Sequence, residues 1–144
     1  VFWIDEMLPR PQTIQFYSHA TVFACPSVYE PFGIINLEAM ACETAVVASR
    51  VGGIPEVVVP GETGDLVDPD LVPGTFTPKD PDRFSRNLAT AINAVVTDPK
   101  RAQRYGKAGR ERAERHFSWD AIAEKTLDLY EEAQRARDAR TADA

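Results

Sequence analysis

Residues 21–49 read TVFACPSVYEPFGIINLEAMACETAVVAS, and three segments inside them decide the fold. Thr21 to Cys25 is an uninterrupted apolar run stopped by Pro26, which predicts a strand buried on both faces. Gly33 to Cys42 has helix length and good helix formers in Leu37, Glu38, Ala39, Met40 and Ala41. Ala45 to Ser49 is a second buried strand. A strand, a helix and a strand in this order imply a parallel pair with a crossover helix, so a Rossmann-like α/β sheet flanked by helices is expected.

Outward from this unit the pattern continues. Upstream, Asp5 to Pro11 is a proline-bounded loop, and Gln12 to His19 predicts a short helix with Ile14, Phe16 and Tyr17 inward. Downstream, Gly52-Gly53 precedes a turn of helix at Pro55 to Val58, and Gly61-Glu62-Thr63-Gly64 precedes a small strand at Asp65 to Val67. Four prolines between Pro69 and Pro81 predict an irregular surface loop. Phe84, Leu88, Ile92 and Val95 then form a helical stripe between Asp80-Pro81 and Asp98-Pro99. A second helix is expected from Pro99 to Arg115, and a third from an N-cap at Ser118, with Ile122, Thr126, Leu129 and Ala133 inward. The division expected is an α/β lobe over residues 1–117 and a C-terminal helix with a frayed tail over 118–144.

The 144 residues are 44% apolar and 26% charged, an ordinary globular composition. A net charge of −6 argues against general nucleic-acid binding, because an acidic surface repels the phosphate backbone. Cys25 and Cys42 spell neither a zinc site nor a disulfide framework and read as reduced, buried small hydrophobes. No apolar run approaches the ~20 residues that span a bilayer, and no signal peptide is recognisable, so a cytoplasmic protein without membrane partners is the default. Val1 to Ile4 resemble the apolar tail of a strand and there is no initiator methionine, so a piece of a longer protein is expected.

The chemistry concentrates between Glu30 and Glu38. Pro31 pushes Glu30 into an extended or turn conformation on the loop leaving the Thr21 to Cys25 strand, the edge where open α/β sheets bind ligands. Gly33 opens a helix whose first amides lack intrahelical partners, a ready anion site. Glu38 follows about 7.5 Å further along at a rise of ~1.5 Å per residue. That spacing permits a sugar nucleotide, with diphosphate over the helix start, ribose on Glu38 and sugar hydroxyls on Glu30. Spacing alone equally permits a buried Glu38 paired with an arginine. Glycoside hydrolysis by two carboxylates fits less well, because eight helical residues separate the backbones by ~12 Å. Asp68-Pro69-Asp70 has the spacing of a divalent-metal site and reads more simply as turn residues at a strand exit. His19 and His116 read as packing or surface residues, the basic segment Lys100 to Arg115 as a solvated helix face, and Gly52-Gly53 as a turn that could also admit a ligand.

Taken together, Glu30-Pro31-Phe32-Gly33, Leu37-Glu38-Ala39-Met40-Ala41, Val51-Gly52-Gly53-Ile54-Pro55-Glu56 and Gly61-Glu62-Thr63-Gly64 resemble the C-terminal lobe of retaining glycosyltransferases of family 4, which have the two-lobed GT-B fold. The Glu-x7-Glu spacing is that family's mark. Glu6 to Pro11, Cys25 to Pro31 and Asn36 to Cys42 resemble its actinobacterial branch concerned with maltose-1-phosphate and glycogen synthesis.

The resemblance implies transfer of glucose from ADP-glucose, or another nucleotide sugar such as UDP-glucose or GDP-mannose, to glucose-1-phosphate or an α-1,4-glucan, with no cofactor or metal. It implies that Glu30 holds and orients the donor sugar, assisted by the amides of Phe32 and Gly33. Ile34 and Ile35 would offer amides to the diphosphate, Glu38 would bind the ribose, and Met7 and Leu8 would border the nucleobase. The family's diphosphate-clamping arginine and lysine, and its N-terminal lobe, would lie upstream of Val1, so the 144-residue chain alone is expected to be inactive. The rival from another class is a noncatalytic nucleotide-sugar-binding module.

Overall fold

The computed structural model describes residues 1–142. Its centre is a parallel sheet of β1 (Val22–Cys25), β2 (Ala45–Ser49) and β3 (Gly64–Val67), in the order β1-β2-β3. Val22 pairs with Ala45 and Cys25 with Ala48, while Val46 pairs with Gly64 and Ser49 with Val67. Helices α1 (Arg10–His19), α2 (Ile34–Ala41), α3 (Ile54–Val57), α4 (Pro81–Val96), α5 (Pro99–Phe117) and α6 (Trp119–Ala142) complete the described residues. The expected Rossmann-like α/β arrangement is therefore present.

Every residue of β2 is buried, as its unbroken apolar run predicts, and each fully buried valine there contributes about 1.5–3 kcal/mol of burial. Ala45 and Val47 face a core built with Val67, Phe84, Val95 and Tyr105, against which Leu88 and Ile92 pack. The predicted stripe of α4 is thus its inward face. Asp80 caps α4 by accepting from the Arg83 amide at 2.8 Å, and Ser118 Oγ caps α6 by accepting from the Ala121 amide at 3.2 Å. Gly106 lets α5 approach the turn before β2, because a Cβ there would lie 2.0 Å from the Glu43 carbonyl oxygen.

Several expectations fail where burial needs a distant partner. β1 is an edge strand of the described sheet, and Ala24 is exposed, so it is not covered on both faces. Val1 to Ile4 form no strand among the described residues: Phe2 and Trp3 are exposed, and a strand requires a neighbour to bond. Ile14 and Phe16 on α1 are exposed, as are Ile122 and Leu129 on α6. A helix closes its hydrogen bonds locally whether or not its apolar stripe is covered. The loop between Pro69 and Pro81 forms neither helix nor strand, as expected, and one isolated antiparallel bridge joins Leu71 to Pro78 within it.

The described residues divide into two compact units, the first over residues 1–111 and the second beginning at Arg112. Within the first unit, the parallel sheet sends the loops after β1, β2 and β3 to one edge. That edge holds the candidate site.

Candidate functional site

The β1 loop carries Glu30 and is braced by the β2 loop. The Gly53 amide donates to the Glu30 carbonyl at 3.1 Å, and the two backbones touch. A Cβ on Gly52 would lie 1.8 Å from the Glu30 carbonyl oxygen, and one on Gly53 would lie 2.6 Å from both Phe32 Cα and the Pro31 carbonyl oxygen. The double glycine is more than a turn, since no larger residue fits against the loop. Among the described residues, no ion pair or hydrogen bond holds the half-buried Glu30 carboxylate.

Gly33 has φ +106, the left-handed region, and stands at the N-cap of α2. Its carbonyl accepts from the Asn36 and Leu37 amides at 2.9 and 3.3 Å, so the helix winds tightly from its first turn. No side chain caps the helix, which leaves its positive end open beside Ile34 and Ile35, both exposed. Behind it, Asn36 is fully buried, with Nδ2 3.8 Å from Cys25 Sγ.

Four residues along, Glu38 forms part of a cleft of about 420 Å³, a size suited to part of a small ligand. Leu8, Arg10, Thr13 and Ile14 line one stretch of it, and Tyr17, Glu38, Ala41 and Cys42 the rest. The Tyr17 phenol donates to Glu38 Oε2 at 3.3 Å, a long and weak bond. Burial, and then the Glu38 charge, push the Tyr17 phenol up to about 12, so it stays protonated as a donor. Tyr17 is held in turn by an edge-to-face contact with Phe23, with ring centroids 5.4 Å apart, and by Thr44 Oγ1 donating to its carbonyl.

The alternative of a Glu38–arginine pair does not occur among the described residues. Leu8 and Glu38 meet in one cleft, whereas Met7 is exposed and does not line it. Glu30 lies on the β1 loop and not on the cleft wall. Cys42 is only partly buried and faces the cleft, while Cys25 is buried as expected. Arg10, Thr13 and Tyr17 were not singled out as site residues by the sequence. Only helical spacing, which puts Arg10, Thr13, Ile14 and Tyr17 along one face of α1, could have grouped them.

Other candidate groups are engaged internally. Asp68 Oδ1 accepts from the Asp70 amide at 2.7 Å, and the Asp70 carboxylate binds Lys79 and Arg83. Among the described residues, no group of three or more His, Cys, Asp or Glu is placed to hold a metal ion. Arg101 is not part of a solvated face: it is half-buried and donates to Asp65 at 2.8 and 3.0 Å. No helix among the described residues is long and apolar enough to cross a membrane.

The chain is similar to glycosyltransferases in sequence and in fold. The profile described as Glycosyl transferases group 1 matches residues 1–112. Alpha-maltose-1-phosphate synthase of Mycolicibacterium smegmatis is 57% identical over 130 residues, covering 90% of this chain and 32% of the relative. Glycogen synthase of Mycobacterium tuberculosis is 35% identical, with 89% and 28% covered. The chain thus spans about a third of the length of the curated relatives it matches. Among solved structures, sucrose-phosphate synthase from Thermosynechococcus elongatus superposes with a TM-score of 0.66 at 44% identity, covering 84% of this chain and 27% of that one. Anabaena HepE in complex with UDP and glucose gives 0.63 at 26% identity, covering 85% and 30%.

Proposed function

The chain belongs to the glycosyl transferases group 1 family, and on that premise we propose that it is the donor-binding part of a retaining hexosyltransferase. The enzyme moves α-glucose from a nucleotide sugar, ADP-glucose or UDP-glucose, to glucose-1-phosphate or an α-1,4-glucan. The observation that carries this reading is the continuous run from the braced Glu30 loop, through the open N-terminus of α2, to the Glu38 cleft. In it, Glu38 takes the ribose hydroxyls, the Ile34 and Ile35 amides meet the diphosphate, and Leu8, Arg10 and Thr13 border the nucleobase. Glu30 orients the sugar at the far end, with the Phe32 and Gly33 amides beside it. The similarity to alpha-maltose-1-phosphate synthase and to a fold that holds UDP and glucose in HepE supports the donor class.

Magnitudes limit what these residues do alone. A helix N-terminus stabilises an anion by up to ~2 kcal/mol, about thirtyfold in rate, against the 10⁶-fold or more expected of an enzyme. Cations outside the 144 residues complete the stabilisation of the departing diphosphate. The 144-residue chain alone is therefore inactive in this reading.

Glu30→Gln in the full-length enzyme tests it, with ADP-glucose and UDP-glucose each offered as donor. Turnover falls about 10²-fold or more while nucleotide affinity is kept. Undiminished turnover removes Glu30 from the site.

A further inference from the structure

Among the described residues the buried polar ones are Asn36, Thr44, Ser49 and Thr63. The last three bond to backbone. Thr44 Oγ1 donates to the Tyr17 carbonyl, Ser49 Oγ to the Cys25 carbonyl at 3.4 Å, and Thr63 Oγ1 accepts from the Val59 amide at 2.9 Å. Asn36 is the exception. Its Nδ2 makes one long contact with Cys25 Sγ at 3.8 Å, and its Oδ1 has no partner among the described residues. An amide oxygen sealed from water and left unpaired destabilises a fold, whereas a leucine, with as many side-chain atoms, carries no such penalty. Packing alone therefore disfavours asparagine at this position, which points to a role in the site it adjoins.

Its place in the fold defines that role. The segment 25–33 leaves β1, carries Glu30 and enters α2, and Asn36 touches it at both ends. At the β1 end, Nδ2 meets Cys25, whose Sγ lies 3.4 Å from Ser27 Oγ and whose carbonyl accepts from Ser49 of β2. At the α2 end, the Asn36 amide donates to the Gly33 carbonyl at 2.9 Å, and the side chain walls the Gly33 α-carbon. A Cβ on Gly33 would lie 2.9 Å from Asn36 Nδ2 and 3.4 Å from Ile54 Cγ1. These contacts are internal to the 144 residues, since Asn36 has no exposed surface. A segment clamped at both ends by one buried side chain keeps few conformations, which fixes Glu30 and the Gly33 amide relative to each other.

We propose that Asn36 is a positioning residue for sugar transfer, pinning the segment that carries Glu30 and acting through Gly33 and Cys25 without touching the donor. The inference rests on the function proposed above. In the full-length enzyme, Asn36→Leu keeps or raises the melting temperature, and kcat falls about 10²-fold, the cost of a misplacement near 1 Å. Affinity for ADP and UDP by calorimetry changes by less than about threefold, because Ile34, Ile35 and Glu38 stand on the helix itself. Asn36→Ala, which fills less space, shows the same loss of kcat. Cys25→Ala lowers kcat less and adds nothing to Asn36→Leu, because both open one link. Parental kcat in Asn36→Leu and Asn36→Ala overturns the pin. So does a loss of kcat matched by equal losses of nucleotide affinity and of thermal stability, or full additivity with Cys25→Ala.

Hydrogen exchange needs no turnover and so separates failure of the pin from failure of the proposed function. In Asn36→Leu, protection of the Leu37 amide, which donates to the Gly33 carbonyl at 3.3 Å, falls about tenfold. That of the Arg50 amide, bonded to the Val67 carbonyl at 2.8 Å, is unchanged. This pattern supports the pin even where the parent enzyme transfers no glucose from any donor, a result that refutes the function alone. Unaltered protection at Leu37, or equal loss at both amides, refutes the pin.

Discussion

Replacing Gly52 with alanine perturbs the Glu30 loop without touching a side chain of the site. The added Cβ lies 1.8 Å from the Glu30 carbonyl oxygen, and raising this to the 3.4 Å of ordinary contact separates the two backbones by about 1.6 Å. A misplacement near 1 Å at a reacting centre costs roughly 10²-fold in rate, or about 2.7 kcal/mol. Alanine at φ +51 adds a left-handed strain of roughly 1–2 kcal/mol to the folded state. Gly61→Ala isolates that strain, because Gly61 has φ +79 and nothing within 4 Å of its Cβ. Both variants of the full-length enzyme therefore lose stability in thermal denaturation, Gly52→Ala the more because the backbone clash adds to the strain. Only Gly52→Ala loses about 10²-fold in kcat, and nucleotide affinity by calorimetry changes little, since the Glu38 cleft is untouched. A Gly52→Ala enzyme with parental kcat, or a Gly61→Ala enzyme with the same rate loss, refutes the bracing role.

Further expectations concern the groups around the site. Glu38→Gln lowers nucleotide affinity about tenfold by calorimetry, as a charged acceptor becomes neutral, while Tyr17→Phe changes it by less than about threefold because its bond is long. Asp65→Asn weakens the bonds from Arg101 and from the Tyr105 hydroxyl, which lie at 2.8 to 3.0 Å, and costs about 2 kcal/mol in urea denaturation with nucleotide affinity kept. The hydrogen bond from Lys79, then that from Arg83, holds the Asp70 carboxyl below its ordinary 3.8. Its folded value lies under its unfolded one, so the pairing with Lys79 and Arg83 is fully present above pH 3.8 and is lost as pH falls through the lowered value. Hydrogen-exchange protection of the Val72 and Lys79 amides, which donate to the Thr77 and Asp70 carbonyls, corrected for intrinsic rates, persists to about pH 4 and disappears only in stronger acid.

The sequence by itself determined β2, α2, α4 and the cap at Ser118, because each depends on bonds and periodicities within a few residues. It also picked out Gly33 as a helix start and put Glu38 and Leu8 among the site candidates that the cleft then joins. Burial of α1, α6, β1 and Val1 to Ile4 was misread, since an apolar pattern states which face is ready to be covered and not whether anything covers it. Tertiary structure alone decided that Tyr17 meets Glu38 across 21 positions, and that Arg101 meets Asp65 across 36. It alone set Gly52 and Gly53 against the Glu30 loop. Those contacts follow from parallel strand register, which delivers three loops to one edge of the sheet, and register is settled only when the whole core packs.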